Sequence, residues 1–147
     1  MTYKDVLAKM MKFCAYQERC QLEVRNKLYS FDLTPEERDR IISDLIEDNF
    51  INEERFAQLY ARGKFNLKGW GKVKISYHLQ QKKVSEYCVK KAFKQFSKEE
   101  YKQKCIEWYE KKDAEIKESN AYVKNQKIAN FLISKGFEKE LVFDLVF

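Results

Sequence analysis

Apolar residues recur along this chain at helical spacing, and in three places the recurrence takes the same form. In "QLEVRNKLYSFDLTPEERDRIISDLIE", "KVKISYHLQQKKVSEYCVKKAF" and "NQKIANFLISKGFEKELVFDLVF" a β-branched residue precedes a leucine by four places: Val24/Leu28, Ile75/Leu79 and Ile128/Leu132. That spacing puts both members of a pair on one helix face. The leucines lie 51 and then 53 residues apart. A short break and a second apolar helix follow each pair, and another helical stretch precedes it. The pattern predicts helices near 3–17, 20–30, 35–48, 53–67, 71–82, 85–96, 98–117, 120–134 and 138–146. The fold class expected is all-α, an elongated tandem array of three three-helix units, with boundaries at 1–51, 52–97 and 98–147. Units of this kind bury their apolar faces only by stacking on neighbours.

Helix-start chemistry supports the division. "TPEE" at Thr34–Glu37 is a capping box with proline at the first helical position, and "SKEE" at Ser97–Glu100 repeats the box. Asn52 and Ser85 are expected N-caps, and Gly136 a left-handed C-cap. Phe56, Ile75, Leu79, Ile128 and Leu132 are expected in the core. One proline and four glycines in 147 residues leave little punctuation for a many-stranded sheet.

Charge changes the picture. The formal net charge is +6. Residues 1–51 hold 8 basic and 10 acidic side chains, residues 52–97 hold 11 and 3, and residues 98–147 hold 10 of each. The middle third is thus strongly basic, and such asymmetry points to a partner of opposite charge. Arg62, Lys64, Lys68, Lys72, Lys74, His78, Lys82 and Lys83 form the expected partner- or DNA-binding surface, with Phe65, Trp70 and Tyr77 interleaved. Lysines beside aromatics hold phosphates and stack bases. The plainer account is a solvated helix face with core aromatics behind it.

The segment "GWGKVK" at 69–74 has neither the spacing nor the Ser/Thr of a phosphate-binding Walker loop, and no strand precedes it. Gly69 and Gly71 are expected to let the chain turn, with Trp70 packed into the turn and a helix starting near Lys72. Amides exposed at that helix start could meet an anion. Lys74, His78 and Gln81 are expected opposite the core face of this helix.

The remaining chemistry is sparse. Cys14, Cys20, Cys88 and Cys105 have no CxxC spacing, and there is one histidine. No metal site or cofactor is expected, and the cysteines read as buried thiols of a reducing compartment, the cytoplasm. The charged N-terminal stretch "MTYKDVLAKMMKFCAY" lacks the core of a signal peptide. No apolar run approaches a membrane span. His78 has no nucleophile or acid beside it, so an enzyme is not expected.

"NFINEERFAQLYARGKFNLKGWGKVKISYHLQQKKV" resembles the RecX family, bacterial regulators of the RecA recombinase. Phe50, Ile51, Asn52, Glu53, Arg55, Phe56 and Ala57 match the first part of the family pattern, and Gly71, Ile75, Leu79, Lys82 and Val84 the second. "ERCQLEVRNKL" and "LISKGF" are similar to its first- and third-unit segments. Asn49 replaces a usual glycine, Lys74 a usual arginine and Lys83 a turn glycine. A lysine at positive φ costs on the order of 1 kcal/mol. The resemblance implies a modular three-helix array and a non-catalytic activity. Family members bind RecA nucleoprotein filaments on single-stranded DNA and suppress ATP hydrolysis, strand exchange and filament growth. Some also bind DNA. The partners implied are the RecA filament and single- or double-stranded DNA, met by a monomer in DNA repair, recombination and the SOS response. The alternative reading is a helical DNA-binding module that acts without RecA through its basic middle unit.

Overall fold

A computed structural model describes all residues, 1–147. The chain is all-α, with no strand, and carries tandem helical units. The helices are α1 (Tyr3–Tyr16), α2 (Gln21–Leu28), α3 (Pro35–Glu47), α4 (Glu53–Gly63), α5 (Lys72–Gln81), α6 (Glu86–Phe93), α7 (Lys98–Glu115), α8 (Ala121–Ser134) and α9 (Lys139–Val146), with a π-helical turn over Lys64–Lys68. Each falls within a few residues of the range the apolar pattern predicts. The exception is 64–68, expected as the last turn of α4. There the backbone widens into the π turn, which keeps Phe65 buried while Leu67 stands out 85 % exposed.

Capping explains the starts. Thr2 and Asp5, and Thr34 and Glu37, exchange reciprocal side-chain and backbone hydrogen bonds. Asn52 Oδ1 accepts from the Arg55 amide at 3.0 Å, and Ser85 Oγ from the Cys88 amide at 3.3 Å. At Ser97 only half of the expected box forms. Ser97 Oγ accepts from the Glu100 amide at 3.0 Å, but the Glu100 carboxylate pairs with Arg62 instead of turning back. Asn49 and Lys83 both adopt left-handed geometry, with φ of 61° and 63°. Lys83 thus makes a left-handed turn with a non-glycine side chain, and carries its strain. Gly136, at φ 101°, ends α8 as expected.

Two compact units result, Met1–Tyr60 with Leu79–Ala92, and Ala61–His78 with Phe93–Phe147. In the first, Val6, Met10 and Cys14 at four-residue intervals turn one stripe of α1 toward Val24 and Leu28 of α2 and Ile41 and Leu45 of α3. The Arg55 guanidinium bonds Glu18 at 2.8 Å and the Asn49 carbonyl at 2.9 Å, tying α4 to the turns before it. In the second unit, Phe65, Phe96, Tyr101 and Phe137 form a chain of ring contacts, with centroids 4.6 Å (Phe65–Phe96), 6.2 Å (Phe65–Tyr101) and 5.3 Å (Tyr101–Phe137) apart. All five residues expected in the core are buried, as are all four cysteines, which are free thiols. No helix is long and apolar enough to cross a membrane.

Candidate basic binding surface

The site grows from the turn at 69–71. Gly69 has φ 65°, and its amide donates to the Phe65 carbonyl at 3.1 Å and to the Lys64 carbonyl five residues back, which closes the π turn. The indole Nε1 of Trp108 donates to the Gly69 carbonyl at 2.9 Å, and a Cβ on Gly69 would lie 2.4 Å from that nitrogen. Gly71 is glycine for a different reason. A Cβ there would meet the backbone carbon and oxygen of Gly136 at 2.4 Å. Two backbones touch at this point, and α5 starts against the end of α8.

This close approach occupies the start of α5. The Gly71 amide donates to the Lys135 carbonyl at 2.8 Å and the Val73 amide to the Gly136 carbonyl at 2.9 Å. The Lys72 amide donates to the hydroxyl of Tyr101 at 2.8 Å, and that hydroxyl in turn donates to Glu138. The amides expected to meet an anion are thus consumed inside the protein. Burial, then the hydrogen bond to Glu138, pushes the Tyr101 phenol far above its ordinary value.

Side chains around this turn supply the charge. Trp70 does not fill the turn. It is half-buried, stacked on His78 with ring centroids 4.6 Å apart and 25° between planes. Lys64 and Lys74 reach over its ring at 5.1 and 4.8 Å, and the exposed Tyr77 meets His78 edge-on at 5.5 Å. Phe65 belongs to the core and offers nothing to a partner. Lys68 lines a cavity of about 250 Å³ with Asn66, Leu67, Lys104, Trp108 and Lys111.

The other expected site residues are engaged differently. Arg62 pairs with Glu100, bonds Gln95 and covers the Phe96 ring at 4.4 Å. Lys72 lies over the Tyr101 ring at 4.5 Å. Lys82 and Lys83 belong to the first unit. There Lys82 pairs with Glu23 at 3.7 Å, and both line a separate cavity of about 370 Å³ with Cys20, Arg25, Glu53 and Ser85.

The third helical segment brings residues that the sequence did not single out. Lys135 and Lys111 lie over the Trp108 ring at 4.3 and 5.4 Å, and Lys112 and Lys135 over the Phe131 ring at 4.4 and 5.7 Å. Lys135 has its ammonium pKa pushed down, first by burial and then by Lys74, Lys111, Lys68 and Lys112. Ion pairs of this unit engage Arg62, Lys104, Lys112, Lys124 and Lys127; Lys68, Lys74, Lys111 and Lys135 of the cluster are among the lysines that make none. A cluster of like charges held by the fold is an anion-attracting surface. Residues 98–147 sum to zero charge, so a regional count hides this cluster. The signal that could have found it is the "KK" at 111–112 read against the lone Lys135 before Gly136.

Helical order and this cluster define the class: an all-α protein of tandem three-helix modules with a polycationic face. Two family models match, described as RecX, second three-helix domain, over residues 52–92, and RecX, third three-helix domain, over residues 98–146, together more than half of the chain. The chain belongs to the RecX family. It is similar to "Regulatory protein RecX" of Bacillus cytotoxicus, at 26 % identity over 132 residues, covering 90 % of this chain and 49 % of the relative. The protein of the same name from Bacillus cereus is 23 % identical over the same length and coverage. The chain thus spans about half the length of the curated relatives it matches. Among solved structures, RecX from Lactobacillus salivarius superposes with a TM-score of 0.89 at 24 % identity, over 98 % of this chain and 93 % of that one. A second crystal structure of regulatory protein RecX gives 0.88 at 24 % identity, over 98 % and 70 %.

Proposed function

We propose that this chain binds RecA filaments on single-stranded DNA and restrains ATP hydrolysis, recombination and filament growth. The observation that carries the reading is the match to two successive RecX three-helix domains, on a chain whose second unit gathers Lys68, Lys74, Lys111 and Lys135 with no ion pair among them. Three modules, 1–51, 52–97 and 98–147, would touch successive subunits of a filament. Several weak contacts in one chain multiply into a strong one when they engage together. Of the expected surface, Lys64, Lys68, Lys74 and His78 carry the contact, joined by Lys111 and Lys135. Arg62 and Lys82 instead serve the fold through their carboxylate partners. The activity is regulatory, not catalytic, exercised by a monomer in the cytoplasm.

The test is RecA ATP hydrolysis on excess single-stranded DNA at two salt concentrations, with this protein titrated well below one per RecA. Inhibition at low ratios supports the filament reading, because competition for DNA is removed. No inhibition, together with salt-sensitive binding to bare DNA, overturns it in favour of a DNA-binding module that acts without RecA.

A further inference from the structure

Two exposed leucines of this chain sit beside cavities, and their surroundings differ. Leu59, 55 % exposed, lines a cavity of about 200 Å³ with Phe56, Tyr60 and Glu18 and no lysine. Leu67, 85 % exposed on the π turn, lines the cavity of about 250 Å³ with Trp108, Lys68, Lys104, Lys111 and Glu107. Three ammonium groups there stand against one carboxylate, and Glu107 is already shared with Lys104 at 4.0 Å. The notch is thus apolar at Leu67 and Trp108 and cationic around them. Its volume lies below the roughly 300 Å³ at which sites for whole small molecules begin, and suits one large side chain. π turns inserted in helices recur at functional sites. This one buries Phe65 and turns Leu67 out to water. An apolar spot with a charged rim marks a protein contact.

We propose that this notch takes a segment of a partner protein in which one large apolar side chain is flanked by carboxylates. The apolar side chain packs on Leu67 and Trp108, and the carboxylates meet Lys68, Lys104 and Lys111. An apolar anchor supplies the affinity of such a contact, and the complementary rim charges its specificity and speed. A nucleobase is the weaker occupant. Stacking a base needs an open aromatic face. Lys135 and Lys111 lie over the Trp108 ring at 4.3 and 5.4 Å, and Phe131 meets it edge-on at 5.5 Å. The indole N–H is spent on the Gly69 carbonyl. No arginine lines the notch to hold a base or phosphate by two bonds, and Glu107 repels a continuous phosphate chain. That the partner is the RecA filament rests on the function proposed above; the chemistry of the notch does not.

The full chain is titrated against two labelled peptides, one with a phenylalanine between two pairs of aspartates and one with alanine in its place. Binding is read by fluorescence anisotropy. The phenylalanine peptide is expected to bind about tenfold more tightly, as follows from burial of one aromatic side chain, and added salt should weaken both peptides. Leu67→Ser should cut that preference at least about threefold, while Leu59→Ser, beside the cavity without lysines, leaves it unchanged. Lys68→Gln/Lys111→Gln, with native helicity by circular dichroism, should weaken both peptides alike. Equal affinity for the two peptides overturns the proposal, as does a preference that survives Leu67→Ser. A labelled oligothymidine that loses as much affinity as the peptide in Leu67→Ser gives the notch to single-stranded nucleic acid and also overturns it. So does self-association of the parent chain that Leu67→Ser abolishes in sedimentation, which gives the notch to a second copy. Peptide preference without inhibition of RecA upholds the notch and overturns the filament reading; inhibition of RecA without peptide preference does the reverse.

Discussion

Gly71→Ala tests whether the close approach of two backbones builds the second unit. The added methyl would lie 2.4 Å from the carbon and oxygen of Gly136, a backbone that cannot rotate aside as a side chain would. Forcing the two backbones apart threatens the Gly71–Lys135 and Val73–Gly136 hydrogen bonds, at 2.8 and 2.9 Å. Two hydrogen bonds at about 1 kcal/mol each, with about 1–3 kcal/mol for forced displacement in a packed interior, give a loss of roughly 3–5 kcal/mol. Gly63 is the matched control. It lies in helical geometry, φ −63° and ψ −47°, with nothing within 4 Å of an added Cβ, so Gly63→Ala should stabilise by about 0.5–1 kcal/mol. Urea unfolding followed by tryptophan fluorescence reads this unit selectively, because Trp70 and Trp108 both lie in it. At about 1–2 kcal/mol/M the Gly71→Ala midpoint should fall by roughly 1.5 M or more, while that of Gly63→Ala rises slightly. A Gly71→Ala midpoint equal to the parent, or shifted like Gly63→Ala, would refute the packing argument.

Charge reversal at Lys68, Lys74 and Lys111 should leave helicity intact and weaken binding to single-stranded DNA, flattening its dependence on log salt by about 0.7 for each phosphate no longer neutralised; fluorescence anisotropy at several salt concentrations checks it. Tyr101→Phe leaves the Lys72 amide without its acceptor in a buried setting and should cost about 1–3 kcal/mol, read as a lowered thermal midpoint. Burial pushes the Cys14 thiol up to about 11 and Cys105 up to about 12, so a thiolate-selective reagent should label them only as fast as the protein opens, with urea accelerating the reaction. Glu37 is held below its ordinary value of 4.5 by the Thr34 amide, and Asp5 below 3.8 by the Thr2 amide. The unfolded chain therefore protonates first: these caps contribute fully above about pH 4.5 and are lost as pH falls through their depressed folded values. Glu37→Gln, which removes the titrating carboxylate but keeps an oxygen for the Thr34 amide, should flatten that acid limb in melts followed by circular dichroism.

Much of the fold was legible in the sequence because helix formation here is local. The Val24/Leu28, Ile75/Leu79 and Ile128/Leu132 pairs are buried, and Thr34, Asn52, Ser85 and Ser97 cap the helices expected of them. Each of those signals links residues no more than four positions apart, so chain distance and spatial distance nearly coincide. The candidate site was legible only in part. Lys64, Lys68, Lys74 and His78 share one short segment and stayed together. Arg62 and Lys82 looked equivalent to them by charge, yet Glu100 and Glu23 engage them from 38 and 59 positions away. No pattern in sequence assigns such partners.

Residue order was enough for the helices, their caps, the left-handed turn at Gly136 and the basic middle segment. Folding had to supply the rest: why Gly71 must be glycine, that the first amides of α5 are consumed by Lys135, Tyr101 and Gly136, and that Lys135 joins Lys68, Lys74, Lys111 and Lys112 around Trp108. The difference is one of range. Helix propensity and capping act through neighbours along the chain, whereas close backbone approach and the field of clustered charges depend on distances that only the folded chain sets.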